Sequence, residues 1–569
     1  MNNKDVSALL AEAALLLELS GENPFKIRSY RKVSDLIAEL DEEVEALYRA
    51  GDLETLPGVG KGIAGELKSL FDEGALPALE ELRAIVPPGL VEMTRIRGLG
   101  VKRIRAIHEA LAITTLGELE YACQENRLVT LKGFGPKMQA SVLDQIEILR
   151  AYARYFHIHT AMHHARRAKA FLEECPGVRS VHVAGEIRRC AEIVSGACLV
   201  VVTDREKETL DALGAYEAVG EVVERTRNRQ AVLLDGGLPL EVIVCANAAW
   251  APTLFFATGA ADHLDGIAGV AGAGGEKLDA EGLRRDNRIA AASTEEEIYS
   301  SFALSHVPPE MREGLGEVDA AAGGAIPRLV ERDDLRGVMH VHTTWSDGKE
   351  TVAAMAEACA ARGYEYVGIS DHSRSAWYAG GLSAEELAEQ GREIAALNET
   401  FEHFKILHGV ESDILPDGSL DYEADDLERL DFVIASVHSV FNMDRETMTA
   451  RLITAMENPA TSVLGHPTGR LLLGREAYPL DIDAVLDAAA RLGVMIEINA
   501  NPYRLDLDWR HLARCRELGI PVLINPDAHN LAGLDHVEYG LGIARKGWLD
   551  KSCVANTLPV DQLVPLLRR

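Results

Sequence analysis

The chain has 569 residues, 47% of them apolar and 26% charged, a balance that argues against wholesale disorder and leaves room for roughly three to five domains. No apolar run reaches the roughly 20 residues that span a bilayer, and the eight cysteines stand without CxxC pairs, which argues against a disulfide framework or a cysteine zinc site. A formal charge of −31 argues against coating nucleic acid by bulk attraction and leaves DNA contact to local basic clusters such as Arg97, Lys102, Arg103 and Arg105.

The first residues, MNNKDVSALLAEAALLLELSGENPF, carry acids inside their apolar stretch. They read as an amphipathic helix and not as a signal peptide, so the cytoplasm is the expected compartment. Leu/Ala-rich helical patterns broken by short glycine turns continue to about residue 150. Three of those turns repeat one arrangement: Gly58 and Gly60 in LPGVGKGIAGELK, Gly98 and Gly100 in IRGLGVKRIRAI, and Gly133 and Gly135 in LKGFGPKMQASV. Such a pattern lets the backbone turn tightly and offers main-chain N–H groups at a helix start to a phosphate. Contact to the backbone alone gives binding without sequence preference. One copy is equally a plain turn between helices. Three copies, each followed by a lysine (Lys61, Lys102, Lys137), resemble helix-hairpin-helix DNA-binding motifs.

From about residue 178 short β-branched runs (VRSVHVAG, CLVVVT, QAVLLD, LPLEVIVC) alternate with helical segments, which predicts an α/β domain. The Gly/Ala-rich stretch around Asp265–Glu276 reads as loop, and Ala320–Pro327 (AAAGGAIP) has the composition of a linker. Beyond it seven strand-like runs alternate with helices in a β/α-barrel rhythm: GVMHVHT, YEYVGISDH, KILHGVES, LDFVIASVH, TSVLGHP, GVMIEINA and PVLINPDAH.

Residues 1–317 resemble bacterial family X DNA polymerases, through NPFKIRSYRK, the three turns, AGEIRRCAE, FFATGAADH, LDAEGL and TEEEIYSSFAL followed by VPPEMREGLGE. The resemblance implies a multidomain α/β protein. Residues 1–80 form a helical DNA-binding domain with the first hairpin, and 81–150 a fingers-like domain with the other two. Residues 151–250 make a nucleotidyltransferase-like palm, 251–319 a thumb, 320–332 a linker and 333–569 a distorted β/α barrel. It also implies binding of gapped or 3′-end duplex DNA, and nucleotide addition with two metal ions held by three aspartates.

The residues depart from that pattern at the chemistry. The family's Gly-Ser-x-Arg-Arg-Gly reads Gly185, Glu186, Ile187, Arg188, Arg189, Cys190, and its G-D-x-D falls on Ser195, Gly196, Ala197 and Cys198. The third acid falls on Leu240, with Glu241 one step along and therefore turned to the other face. Gly, Ala and Cys offer no anionic oxygen to bridge two hard cations, so the polymerase site reads as degenerate unless acids such as Glu192 or Asp235 take over. Arg188 and Arg189 are read either as phosphate holders or as a solvated strand-end pair. The lysine that serves lyase chemistry in the family is Glu66 here, flanked by Lys61 and Lys68.

The barrel is different. His340 and His342 share one side of a strand by the two-residue period. Asp347, His372, Glu411, His438, His466, Asp527 and His529 follow, nearly all where a strand runs into its loop. A lone histidine is an ordinary core or surface residue, but six histidines and three acids recurring at successive strand ends predict a metal site. Mixed imidazole and carboxylate suit Zn2+, Mn2+ or Fe2+ better than Mg2+. The pattern resembles the PHP (polymerase and histidinol phosphatase) domain, through DHSRS, AGGLS, GRLLLGRE and EINANPYRLDLDW.

That resemblance implies three ions, Mn2+ and/or Zn2+. The first would be held by His340, His342, Glu411 and Asp527, the second by Glu411, His438 and His466, and the third by Asp347, His372 and His529. It also implies 3′→5′ exonuclease chemistry by water attack on phosphorus, with His340, His342, Glu411, Asp527 and Arg374 as the catalytic set. Arg374, Arg470 and Arg504 are candidates to grip phosphates, and Asn499 and Asn501 either orient the 3′ nucleotide or cap the strand end. The alternatives are a Mn2+-dependent gap-filling polymerase working through substitute acids, a non-catalytic DNA-binding scaffold, and a small-molecule phosphatase.

Overall fold

In the computed structural model, which describes residues 2–40, 42–124, 127–152, 155–273, 277–279, 282–285, 288–290 and 292–568, the N-terminal residues fold as amphipathic helices. The first, Asn3–Ser20, starts at Asn2, whose side chain accepts from Asp5 N, and stops at Gly21, whose φ of +82° suits glycine. Its buried face, Val6, Leu10, Ala13 and Leu17, packs with Ile27, Tyr30, Val33 and Ile37 of the next helix, Pro24–Ala38. Each fully buried leucine contributes about 1.5–3 kcal/mol. This helical unit spans Met1–Arg154, and a second unit spans Tyr155–Arg569. No helix among the described residues is long and apolar enough to cross a membrane, and all eight cysteines are free.

The second unit opens with a five-stranded sheet: β1 (Val178–Ala184), β2 (Ala197–Thr203), β3 (Val219–Arg225), β4 (Arg229–Leu234) and β5 (Pro239–Cys245), in spatial order β1-β2-β5-β4-β3. Only the β2–β5 pair is parallel. The helix Ile158–Glu173 covers one face through Ala161, Ala165, Ala168 and Leu172.

One sequence expectation fails in the region that follows. The stretch expected as a loop at Asp265–Glu276 is largely the helix Ala261–Ala273; residues 274–276 lie outside the described residues, as do residues 280 and 281 of LDAEGL. Small residues serve close packing there: a Cβ on Gly266 would stand 3.1 Å from Val318. The expected linker is exposed over residues 322–325 and packed at both ends. Its first residues belong to the helix Glu317–Ala322, while Leu329 and Val330 are buried, Leu329 bridging to Asp550 and Val330 N donating to the Leu549 carbonyl at 3.0 Å.

Seven parallel strands then form a nearly closed barrel in sequential order: β6 (Gly337–Val338), β7 (Tyr366–Ile369), β8 (Lys405–Asp413), β9 (Phe432–Ser436), β10 (Val463–Leu464), β11 (Met495–Asn499) and β12 (Val522–Asn525). A parallel bridge between Val341 and Ala528 joins the two edges beyond β6 and β12. All seven runs expected from the sequence are present. Tyr366, Leu407, Phe432, Val463, Met495 and Leu523 meet in one interior core with Met339. Glycine keeps room for the Phe432 ring, since a Cβ on Gly368 would stand 2.7 Å from it. Leu563 and Leu567 of the last helix, Val560–Leu567, join this core and close one end of the barrel.

Candidate metal centre and nucleic-acid interfaces

The two-residue period of a strand carries the interior from apolar to polar along each barrel strand. From Tyr366 it runs through Gly368 and Ser370 to His372. From Leu407 it runs through Gly409 to Glu411 and Asp413, from Phe432 through Ile434 and Ser436 to His438, and from Leu523 through Asn525 to Asp527. The polar residues therefore gather at the carboxyl ends of the strands, opposite the closing helix. His466 and Asp527 take positive φ values of 23° and 50° there, backbone strain of the kind found at functional sites.

All nine residues singled out in the sequence come together at this end. His342 Nε2 lies 3.3 Å from Asp527 Oδ1 and 3.6 Å from Glu411 Oε2, and His340 Nε2 lies 3.4 Å from Glu411. Glu411 also has His372 Nδ1 at 3.0 Å, His438 Nε2 at 3.2 Å and His466 Nε2 at 2.8 Å. Asp347 is approached by His529 Nε2 at 3.4 Å and His372 Nε2 at 3.6 Å. Their donor atoms fall into three overlapping groups: His340, His342 and Asp527; His342, Asp347, His372 and His529; and His372, Glu411 and His438. These differ from the expected sets: Glu411 is absent from the group of His340, His342 and Asp527, and His342 joins that of Asp347, His372 and His529. His372 stands close to Glu411 as well as to Asp347, and His466 bonds Glu411 from outside the third group.

The donor set fits divalent cations. His340 Nε2, His342 Nδ1 and Nε2, His372 Nδ1 and His466 Nδ1 are buried without a hydrogen-bond partner, an arrangement that costs free energy unless something else accepts their lone pairs or protons. Burial alone would push the Glu411 and Asp527 carboxyls up, but the surrounding histidines hold both well below the usual carboxylate range. Against burial, Glu411 and Asp413 push His438 up to about 10, and Asp347 and Asp527 push His529 up to about 9. Burial and neighbouring imidazoles take His342 down to about 4. Cations held by these groups would supply the positive charge that the carboxylates otherwise draw from protonated imidazoles.

A surrounding layer of residues went unrecognised in the sequence. Glu497 meets His340 Nδ1 at 2.7 Å and accepts from His466 N at 2.8 Å. Asp413 bonds His438 Nδ1. Asp371 accepts from Thr343, Ser346 and Gln390 and so orders the loop that carries Asp347. The only sequence signal was parity, since Glu497 and Asp413 occupy inward positions of β11 and β8. Asn499 is buried and donates to Asp527 Oδ2 at 3.0 Å, and Asn501 Oδ1 accepts from Tyr503 N in a turn.

The arginine candidates separate. Arg504 Nε lies 3.6 Å from Asp527 Oδ2, beside the cluster. Arg374 is exposed and makes one 3.3 Å bond to Asp421. Arg470 is withdrawn as a phosphate ligand: its guanidinium is buried against Glu192, Asp508 and the carbonyls of Arg504 and Leu505. Glu192 is spent in the same pairing, so it is not free to stand in at the palm.

At the palm, the register corrects the placing of the third acid. Leu240 pairs with Ala197 and is buried in the core, whereas Glu241 pairs with Cys198, whose thiol donates to its carboxylate at 3.9 Å. Glu241 therefore shares the face of Cys198 and is bridged to Arg229 at 3.0 Å. Gly196 has no room to spare: a Cβ there would stand 2.7 Å from the Pro239 carbonyl. Gly185, at φ +65°, has the Cys198 Cβ 3.3 Å from where its own would be. Neither arginine is a solvated or free phosphate holder. Arg188 grips both Glu295 oxygens and Thr258, and Arg189 donates to Glu313 and the Thr258 carbonyl.

The three glycine turns share one geometry. Gly58, Gly98 and Gly133 have φ of +94°, +79° and +91°. In each, the residue between the two glycines donates its N–H to the residue three back: Val59 to Leu56, Leu99 to Ile96, and Phe134 to Leu131, all at 3.1 Å. Gly60 and Gly100 then open the helices Lys61–Glu73 and Val101–Leu111 with no side-chain cap, leaving helix-start N–H groups available to an anion. Gly135 precedes the helix Pro136–Tyr152 in the same way, and space is open beyond the Cα of Gly60, Gly98, Gly100, Gly133 and Gly135. Lys102 and Lys137 follow within two residues.

Comparison with known proteins places these parts among relatives. Residues 1–76 match a helix-hairpin-helix domain, 90–147 a SAM-like helix-hairpin-helix tandem, 253–313 a DNA polymerase beta thumb and 339–501 a PHP domain. The chain is 35% identical over 573 residues to the DNA polymerase/3′-5′ exonuclease PolX of Bacillus subtilis (strain 168), covering 100% of both chains. A probable phosphatase of Thermoanaerobacter sp. (strain X514) is 29% identical over 235 residues, 38% of this chain and 89% of its own. A probable phosphatase of Acetivibrio thermocellus is 31% identical over 199 residues, 33% and 78%.

Proposed function

The chain belongs to the PolX-type family X DNA polymerases that carry a PHP domain, and from that premise we propose that its barrel is a metal-dependent 3′→5′ exonuclease, acting on gapped or 3′-ended DNA that the hairpin turns bind, beside a palm no longer equipped for templated synthesis. The observation that carries the reading is the set of buried imidazole nitrogens without partners around Glu411 and Asp527. Divalent cations, Mn2+ and/or Zn2+ and three in number, would supply Lewis acidity towards the phosphate and make water a stronger acid. His340, His342, Glu411 and Asp527 would hold one, Glu411, His438 and His466 a second, and Asp347, His372 and His529 a third.

The chain's own part is positional. Glu411 stays ionised among four imidazoles within 3.4 Å and is the natural shared ligand. Glu497 and Asp413 fix the tautomers of His340 and His438 by accepting from their Nδ1–H groups, which would leave each Nε2 lone pair to a cation when the ring is neutral. Asn499 holds Asp527 in place. Arg504, beside Asp527, and the exposed Arg374 offer N–H groups to a phosphate. Asp347 and His529 are less buried than the others and form the rim where a strand end enters.

At the palm one carboxylate, Glu241, shares the face where the family uses three, and one carboxylate does not bridge two cations. That residue is also the observation that favours a second reading, a Mn2+-assisted polymerase. A gapped duplex with a 5′-labelled primer and Mn2+ distinguishes the two. Wild type is expected to shorten the primer. His342→Ala with Asp527→Ala is expected to end shortening while leaving duplex binding intact. Cleavage retained by that double variant refutes the exonuclease, and primer lengthening by it refutes the degenerate palm.

A further inference from the structure

Two large aromatic side chains at the barrel mouth stand largely exposed. Trp377 is 82% exposed and Tyr378 58% exposed, their rings 6.1 Å apart and edge-on, although a tryptophan ordinarily buries most of its surface. They stand at the apex of a loop that is firmly anchored. Its ends are pinned by Ser373 N donating to the Glu411 carbonyl at 3.0 Å and Leu382 N donating to the His372 carbonyl at 2.9 Å. Ser375 Oγ donates to Asp413 at 2.6 Å, and Asp413 also holds His438. The apex therefore keeps a set position relative to Glu411 and His438.

The apex also lies next to the cluster. Gly380, at φ +66°, comes within 3.5 Å of the Ser346 carbonyl, one residue before Asp347, measured from where its Cβ would be. The Tyr378 phenol feels the carboxylates of Asp413, Glu411 and Asp347 and the guanidinium of Arg504. Rigid, exposed aromatic faces beside a phosphodiester-cleaving centre match what a nucleobase needs, because every base presents a π-face and stacking tolerates any sequence.

Resting on the exonuclease reading, we propose that Trp377 and Tyr378 form a stacking platform for the 3′-terminal base of single-stranded DNA, which sets the adjacent phosphodiester over the metal-ligand cluster. The platform selects for a base and not for its identity.

The test compares single-stranded oligonucleotides that end in thymidine or in an abasic residue, with wild type, Trp377→Ala and Trp377→Phe in Mn2+. For the thymidine end, Trp377→Ala is expected to raise KM about tenfold, the order that loss of base–aromatic stacking sets, and Trp377→Phe to restore most of it. For the abasic end the KM of all three proteins is expected to coincide. A loss of equal size on both substrates, or no loss on either, overturns the platform. Tryptophan fluorescence separates this result from failure of the exonuclease itself. Quenching by the thymidine-ended strand in EDTA, absent with the abasic end and absent in Trp377→Phe, supports the platform even if wild type shortens neither strand. No quenching and no KM change together remove it.

Discussion

His340 Nδ1 lies 2.7 Å from a Glu497 carboxylate oxygen inside the barrel, and both side chains are fully buried. Since the carboxylate only accepts, Nδ1 carries a proton, and in the neutral imidazole that a cation would require, the Nε2 lone pair would face the space beside Glu411 and Asp527. Replacing Glu497 by Gln removes the charge that enforces this tautomer. Mn2+ affinity is expected to fall about 10- to 100-fold, read as a rightward shift in a Mn2+ titration of exonuclease activity, with most of kcat regained at saturating metal. An unshifted titration would show that Glu497 is mere packing.

Metal removal should destabilise the second unit. In metal-free protein Glu411, Asp527 and the partnerless imidazoles keep their desolvation cost without the compensating cation. Ligand that binds only the folded state adds about 2.7 kcal/mol at 100 times its Kd. EDTA treatment is therefore expected to lower the melting temperature of the second unit, and Mn2+ or Zn2+ to restore it. The larger rise in calorimetry at equal concentration identifies the better-fitting ion; no rise with either contradicts a metal centre.

The two palm positions that the proposed degenerate site leaves without aspartates, Gly196 and Cys198, are not equivalent. Cys198 is half-buried, and Cys198→Asp is expected to fold normally. Gly196→Asp forces a Cβ to within 2.7 Å of the Pro239 carbonyl, and strain of this kind costs about 1–3 kcal/mol. Melting temperatures of the two single variants check the asymmetry. A stable Gly196→Asp would mean that the β2–β5 edge gives way more easily than its close backbone approach implies.

Glu295 ties the palm to the thumb through Arg188 and Arg312, and although burial raises its carboxyl pKa, the two arginines bring it from 4.5 down to about 2. A folded pKa below the unfolded one gives stability that is complete above pH 4.5 and is lost as pH falls towards 2. The contribution is on the order of 3 kcal/mol, at 1.36 kcal/mol per unit. Glu295→Gln should therefore melt earlier than wild type at pH 6, and the gap should narrow by pH 3. A gap that is constant with pH would exclude the charge as its cause.

Lys102 and Lys137 sit just inside helices opened by uncapped glycine turns. Replacing either with Ala should weaken duplex binding alike for all sequences and reduce the salt slope of log K by about 1 for each phosphate the variant no longer neutralises. Fluorescence anisotropy across a salt series measures it. An unchanged slope would remove that turn from the interface.

Periodicity and residue chemistry made much of this molecule readable in advance. The barrel strands, the nine clustered side chains and the three glycine turns all announce themselves by local pattern: a two-residue period ending in His or Asp, or paired glycines before a lysine. What failed in the sequence failed for one reason. Gly266 and its neighbours look like loop until Val318 is seen packed on them, Leu240 looks like the acid's place until Ala197 is seen opposite it, and Arg470 looks free until Glu192 is seen beside it.

The sequence by itself determined which donors and which backbone conformations are possible, because those depend on residue type and on near neighbours along the chain. The tertiary structure alone decided which donors point together, which arginines are already engaged, and that Glu497 and Asp413 govern the imidazoles in front of them. Those outcomes depend on strand register and on distant partners, as in the bond between His157 and the Leu472 carbonyl 315 residues away. No local pattern encodes them.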